Sequence, residues 1–376
     1  MVLNEIKLGD VFKEVDIRNS LKNITDIQGI NKTKSFMPTV ADVTDAGIEK
    51  YKLVNKGQFV FSGMQTGRDK CIRIAMYEQD KPIAISPAYT VFDVINPSVL
   101  PEFVMMWFLR PESDRLGWFY SDSSIRSNLD MDRFFDIRMP YLPLDIQQKY
   151  VNIYNAMVAN LKAYENGLED LKLTCDGYIE NLKKAAPLHR LGDYIELSEE
   201  RNADNKYSLE AVRGIATSKC FISTKADMDG VSLHSYKVVK PRCFAYVSDT
   251  SRRGDKISLA LNMSDETYLV SSISTVFSTD FTRIVPEYLE LFFERAEFDR
   301  YARFNSWGSA RETFDWSEMC NVEIPVPDIS IQKSIADIFS VYNQRKKIAE
   351  KMRENIKSIC PVLIQGAIRE AMKKIG

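Results

Sequence analysis

Two kinds of segment in this chain could set forked cations against a polyanion, and each occurs twice. Gln65-Thr66-Gly67-Arg68-Asp69-Lys70 lies between two apolar runs, and Thr250 to Lys256, with Arg252 and Arg253, lies at nearly the same place 185 residues later. Ser123-Ser124-Ile125-Arg126 is matched at the same offset of 185 by Gly308-Ser309-Ala310-Arg311. A guanidinium offers a planar fork that fits phosphate oxygens or the edge of guanine. Small residues beside it let a backbone come close to the polyanion while phosphate contacts fix register. The candidate contacts are Gln65, Thr66, Arg68, Lys70, Ser124 and Arg126 in the first copy. In the second they are Thr250, Arg252, Arg253, Lys256, Ser309 and Arg311. Exposed turns tend to be charged in any protein; recurrence at a repeated position favours contact. Tyr120, Phe304 and Trp307 nearby could stack on bases, although aromatic residues at such junctions are more often core.

Other chemistries lack material. The chain has no G-x-x-x-x-G-K-[ST] or G-x-G-x-x-G phosphate loop, no G-x-S-x-G elbow and no Asn/Asp-Pro-Pro-Tyr/Phe segment of the kind that holds a flipped adenine. Two histidines, His189 and His234, and six scattered cysteines without a C-x-x-C pair argue against zinc and for reduced, mostly buried thiols. Catalytic residues, a metal site and a bound cofactor are therefore not expected. A net charge of −2 excludes a uniformly basic binder, so any DNA contact must come from locally segregated Lys and Arg. Hydrophobic residues make up 45%, enough for real cores and too many for a disordered chain. Met1 to Asp10 carries charges without an apolar stretch, and the run Phe103 to Leu109 is too short to span a bilayer. A cytoplasmic protein is expected.

The elements that must position these loops are themselves duplicated. Phe59-Val60-Phe61 returns as Phe244-Ala245-Tyr246, Thr90-Val91-Phe92 as Thr275-Val276-Phe277, and Asp114-Arg115 as Asp299-Arg300, always 185 apart. Two copies of one unit in one chain imply a pseudo-two-fold molecule suited to a partner with two related halves. Alternation predicts strands over 58–62, 70–76 and 84–94 in the first copy, with a polar turn at 64–69. A helix is predicted from Pro101 to about Trp118, capped by Ser98. The second copy predicts strands over 243–247 and 257–261, a charged turn over 252–256 and a helix over 286–303.

Each lobe closes on prolines, Pro140 and Pro143 or Pro325 and Pro327, which forbid helix and set a boundary. Asp145 and Ser330 then stand where N-caps are needed, with Gln148 placed as in a capping box. Apolar residues follow at alternating spacings of four and three: Ile146, Tyr150, Ile153, Met157 and on to Tyr178 and Leu182, then Ile331, Ile335, Ile338, Tyr342 and on to Leu363. That is a coiled-coil seam along a rod of roughly 60 Å. Neither rod can bury its seam alone, so the two are expected to pair, antiparallel by connectivity. Gly177 and Pro361 predict a bend or fray. The expected fold is α+β: lobes at 1–145 and 187–330, separated by helices at 146–186 and 331–372 that form an antiparallel coiled coil.

In this order the chain resembles the specificity (S) subunit of type I restriction–modification systems. The resemblance rests on Leu8-Gly9-Asp10 and Leu191-Gly192-Asp193 opening the lobes, on Ser123 to Arg126 and Gly308 to Arg311, and on the Pro-x-Pro segments leading to Ile146-Gln147-Gln148 and Ile331-Gln332-Lys333. It covers nearly the whole chain; the Ser123-Ser124 copy departs from the Gly-bearing form. It implies that each lobe is a target recognition domain for half of a split, asymmetric DNA sequence. It implies that the helices fix the spacer and dock two methyltransferase (M) subunits, which bring S-adenosylmethionine to adenine. Restriction would add a motor-nuclease (R) subunit, and a related methylation system without R is equally compatible. A two-lobed scaffold that binds proteins rather than DNA is the alternative.

Overall fold

In the computed structural model the described residues are 4–39, 47–122, 124–224, 227–250, 256–308 and 311–375. The chain divides into two compact units. The first is Met1–Ala163 with Ala349–Gly376; the second is Tyr164–Ile348. The helices are α1 (Thr66–Asp69), α2 (Pro101–Phe108), α3 (Pro111–Tyr120), α4 (Met131–Asp136), α5 (Leu144–Ala185), α6 (Pro286–Glu294), α7 (Ala296–Phe304), α8 (Trp316–Asn321) and α9 (Ile329–Ile375). The architecture is α+β, with a 42-residue helix and a 47-residue helix.

The first unit is built on an antiparallel sheet in the order Phe12–Val15, Thr90–Val94, Phe59–Ser62, Arg73–Met76. The second repeats it as Ile195–Ser198, Ser274–Thr279, Phe244–Val247, Leu259–Leu261. Phe59 opposes Phe92 in one and Phe244 opposes Phe277 in the other, so the register survived duplication. Phe134 stacks on Phe61 in the first core, with ring centroids 4.2 Å apart. The accompanying sheet has four strands in the first unit (Phe36–Pro38, Ile27–Ile30, Ile83–Ile85, Lys52–Val54) and two separate two-stranded ladders in the second.

The predicted strand over 84–94 is two strands, Ile83–Ile85 and Thr90–Val94, in different sheets. The predicted helices over 101–118 and 286–303 are each broken in two. Pro111 supplies no N–H and forces Arg110 into extended backbone, φ −84° and ψ 144°. The second break has no proline; there Arg295 is extended and pairs with Asp176, Glu180 and Glu297.

The long helices start differently from the expected caps. Asp145 and Ser330 lie inside the first turn, and the free amides of that turn donate to the carbonyls of Pro143 and Asp328. Asp145 pairs with Lys374 instead, and Gln148 bonds Asn152 rather than closing a capping box. The determining residues are Gln147 and Gln332, at 1% and 0% exposure. The Gln147 side-chain oxygen accepts from Leu100 N–H at 2.9 Å while its amide donates to the carbonyls of Ser98 and Leu142 at 2.9 and 2.7 Å. Gln332 accepts from Val285 N–H at 2.8 Å and donates to Arg283 and Pro327 at 3.0 and 2.8 Å. Every partner recurs at the offset of 185. One amide thus ties the start of a lobe helix to the start of a long helix, and Ser98 serves as an acceptor, not a cap.

Within each unit the paired helix segments run antiparallel. In the first, Lys149 meets Glu370 at 2.7 Å and Asp145 meets Lys374. In the second, Arg345 lies over the Tyr164 ring, and Cys175 and Ile179 share a core with Ile335, Ala336 and Phe339. The buried face is wider than a two-residue seam, because each segment also packs on its lobe. Val151 and Ile179 are buried, whereas the predicted seam residues Ile153, Tyr178 and Ile331 are 40–47% exposed. Helix continues through Gly177 and Pro361 without the expected fray. Pro361 has no N–H to offer the Lys357 carbonyl, and Lys357 lies on the exposed side of the helix.

Removing either glutamine amide leaves one buried N–H and two carbonyls unsatisfied. Gln147→Ala is therefore expected to lower stability by about 3 kcal/mol or more in urea unfolding, whereas Gln148→Ala should be nearly neutral. A second difference is chemical. In the first unit Met105 and Leu109 line a cleft of about 490 Å³; at the same offset the second unit has Glu290 and Glu294. Burial, reinforced by Glu294 and Glu287, pushes the Glu290 carboxyl up to about 8. A raised carboxyl stabilises the fold most below its unfolded value of about 4.5, and that contribution is lost as pH rises through 8. Glu290→Met should raise the urea midpoint at pH 8 more than at pH 5.

Candidate nucleic-acid interface

The two sequence-separated loops meet in each unit. In the first, Gly67 N–H donates to Ser127 O at 2.9 Å and Gln65 N–H to Asn128 Oδ1 at 3.0 Å. In the second, Thr250 N–H donates to Glu312 O at 3.0 Å, and Asp249 bridges Thr313. The hairpin loop and the Ser/Gly-Arg loop therefore meet in the first unit, and the described residues that flank them meet in the second.

The first hairpin loop is a helical turn, not an open one. Gln65 and Lys70 flank α1 in the left-handed region, with φ 59° and 51°. Gly67 is demanded by closeness: a Cβ there would stand 2.7 Å from Ser127 Cβ and 3.0 Å from Ser121 Cβ. In the second unit Gly308 has φ +138°, and a Cβ would fall 2.1 Å from Arg311 O.

Arg68 is 59% exposed and anchored on one side only, by the Gln65 side-chain oxygen at 2.5 Å and by Asp69 at 3.4 Å. Asp69 is the hub. Its carboxylate also takes Lys32 at 3.1 Å and Arg73, and only 5% of its side chain is exposed. Burial works to raise its pKa, but the hydrogen bonds and charges of Arg73 and Lys32 prevail and hold it at about 2. Lys70 stands 4.9 Å over the Trp118 ring. Arg126 is fully on the surface beside Ile125, which is 100% exposed. Ser124 shapes its own loop: its hydroxyl donates to Asp122 Oδ1 at 2.6 Å, and this bond holds the Asp122 carboxyl below the usual range. Arg311 and Lys256 are exposed in the second unit, with Arg303 paired to Glu312 alongside.

Two candidates change role. Thr66 is 0% exposed and donates to Gly63 O at 3.0 Å; Thr250 is 2% exposed and donates to Glu312 O at 3.2 Å. Both hold the loops and cannot reach a base edge. Arg252, Arg253 and Ser309 lie outside the described residues. Tyr120 packs partly on the core. Sequence reasoning missed Phe119, which is 77% exposed at the end of α3; Phe304, its match at 185, is 77% exposed at the end of α7. The offset alone could have paired them. Among the described residues no group of His, Cys, Asp and Glu could hold a metal, and no helix is long and apolar enough to cross a membrane.

Comparison with solved structures gives matches over nearly the whole chain. The S subunit of a type I restriction–modification system from M. genitalium superposes with a TM-score of 0.63 at 10% identity, covering 98% of this chain and 96% of that one. The chain has the fold of a type I restriction–modification S subunit. The resemblance in the doubled motifs is thus matched by the three-dimensional architecture. Two further structures align with lower scores. A chain from a study of type I R-M complex assembly and conformational transition has a TM-score of 0.44 at 15% identity, covering 99% and 98% of the two chains. The HsdS subunit from Thermoanaerobacter tengcongensis has 0.36 at 14%, covering 98% and 96%. No protein-family model and no curated protein matches.

The Asp69 hub makes a direct prediction. A depressed carboxyl stabilises its surroundings above its unfolded value of 3.8, and that contribution is lost as pH falls towards 2. Carboxyl NMR should give Asp69 a midpoint of about 2, with the 64–70 loop amides shifting in the same window; a midpoint near 3.8 would mean that Arg73 and Lys32 do not hold it.

Proposed function

We propose that this chain is the non-catalytic DNA sequence-specificity subunit of a type I restriction–modification complex. One observation carries the reading. Both units bring the same two loops together on the same frame and keep an arginine at 126 and 311, yet the hairpin residues differ: Gln65, Gly67 and Lys70 in one stand where Thr250, Arg252 and Asp255 stand in the other. A shared frame with divergent contact residues is what reading two different half-sites requires. The partner is double-stranded DNA with a bipartite, asymmetric sequence, and the long helices set the non-specific spacer.

Those helices dock two adenine methyltransferase (M) subunits, which carry S-adenosylmethionine, and restriction (R) subunits join the assembly in the cytoplasm. Flipping the adenine belongs to the M subunits. Two linked half-sites give tight binding through effective concentration, although each alone is weak.

Selection from a random duplex pool with the M subunits present should enrich one bipartite sequence. Replacing residues 1–145 by another lobe should change one half only, as should the methyladenine map of a host producing both proteins. Arg68→Ala should cost about 1–3 kcal/mol of discrimination within the first half-site. Enrichment of no bipartite sequence would favour the protein scaffold instead.

A further inference from the structure

Each unit buries a lysine in the same unusual way. Lys34 lies in the turn between Ile27–Ile30 and Phe36–Pro38, and Lys219 in the turn between Arg213–Ile215 and Phe221–Ser223. Both have left-handed backbone, φ 59° and 58°, which a lysine adopts only against resistance. Their side chains are 5% and 4% exposed. Lys34 Nζ meets Asp114 of α3 at 2.7 Å, and Lys219 Nζ meets Asp299 of α7 at 2.8 Å. The same aspartate oxygen also accepts a backbone amide: Ile72 N–H at 3.0 Å in one unit and Ile257 N–H at 3.2 Å in the other. Lysine, aspartate and amide all recur at the offset of 185.

The place of that amide matters. Ile72 and Ile257 stand just before the return strands Arg73–Met76 and Leu259–Leu261, which follow the candidate contact segments in the sequence. The strained turn, the buried ion pair and the amide are common to both units, whereas Gln65-Thr66-Gly67-Arg68 and Thr250-Ser251-Arg252-Arg253 share in register only the arginine of Arg68 and Arg253. Packing alone does not need a charge pair at such a point, because well-fitted apolar residues serve as well. An aspartate that accepts a main-chain N–H, by contrast, fixes where a loop ends whatever its side chains are.

Resting on the functional reading above, we infer that Lys34–Asp114 and Lys219–Asp299 are positioning pairs, each setting the base of one recognition loop and so the fidelity of one half-site. Neither pair touches DNA. Each acts on only its own half.

The test uses the full chain with its M subunits and the random duplex pool. The double variant Lys34→Met, Asp114→Leu removes both charges together and releases Ile72 N–H. It should fold, with the helical circular dichroism of the parent, while discrimination in the first half-site falls about ten-fold or more and the second stays within about two-fold. Lys219→Met with Asp299→Leu should do the reverse. Lys52→Met removes another buried lysine of the first unit, which meets the exposed Glu14 at 3.5 Å, and should leave both half-sites sharp. Should the double variant not fold, Lys34→Met alone takes its place, since Asp114 keeps 24% of its side chain in water. A folded variant with an unchanged first half-site, or with both halves blurred equally, overturns the inference. If the parent chain selects no bipartite sequence, the functional reading itself fails and takes the inference with it.

Discussion

Two buried glutamine amides govern this molecule. Gln147 and Gln332 each hold three backbone groups at once, from the helix start of a lobe, from the preceding chain and from the proline segment beneath the long helix. An amide suits the task because it donates and accepts from one rigid plane, and a carboxylate of the same size could only accept. Pro101 and Pro286 open their helices without side-chain caps, so those first turns rely on the glutamines for order. The direction in which α5 and α9 leave the lobes follows from the same bonds.

Outward from this point the units divide into what is common and what is free to vary. Common are the sheet register, the amide locks and the buried lysines. Free are several loop residues and positions of the first unit's cleft, where Met105 and Leu109 stand at the offset of Glu290 and Glu294 in the other unit. Duplication followed by divergence explains the division. Main-chain partners constrain a residue whatever its neighbours become, whereas solvent-facing and cleft-facing positions carry no such debt.

Much of this was legible in the chain because repetition amplifies weak signals. The offset of 185 identified two related lobes, the seam identified both long helices, and the paired loops pointed to their surfaces. Pro111 could have revealed the helix break, since the residue before a proline avoids helix; the break at Arg295 could not be seen, because its ion partners Asp176 and Glu180 lie on α5. Gln147 read as one polar residue at a helix start, and its partners are backbone groups that no side-chain pattern records. Thr66 and Thr250 read as contact residues because burial of a small hydroxyl leaves no trace in composition. Ile153 and Tyr178 fell on the wrong face because a heptad assumes one partner, and each helix segment here has two.

The division of the chain also imposes an order in time. The second unit is contiguous, Tyr164–Ile348, and all of its core is available as soon as that stretch leaves the ribosome. The first unit is not: Cys360, Leu363, Ile364, Ala367 and Ala371 form one wall of the core whose other residues begin at Leu8. The lobe made first is therefore the lobe completed last. Until residues 349–376 arrive it exposes the apolar face they will cover, so the chain matures from its middle outward.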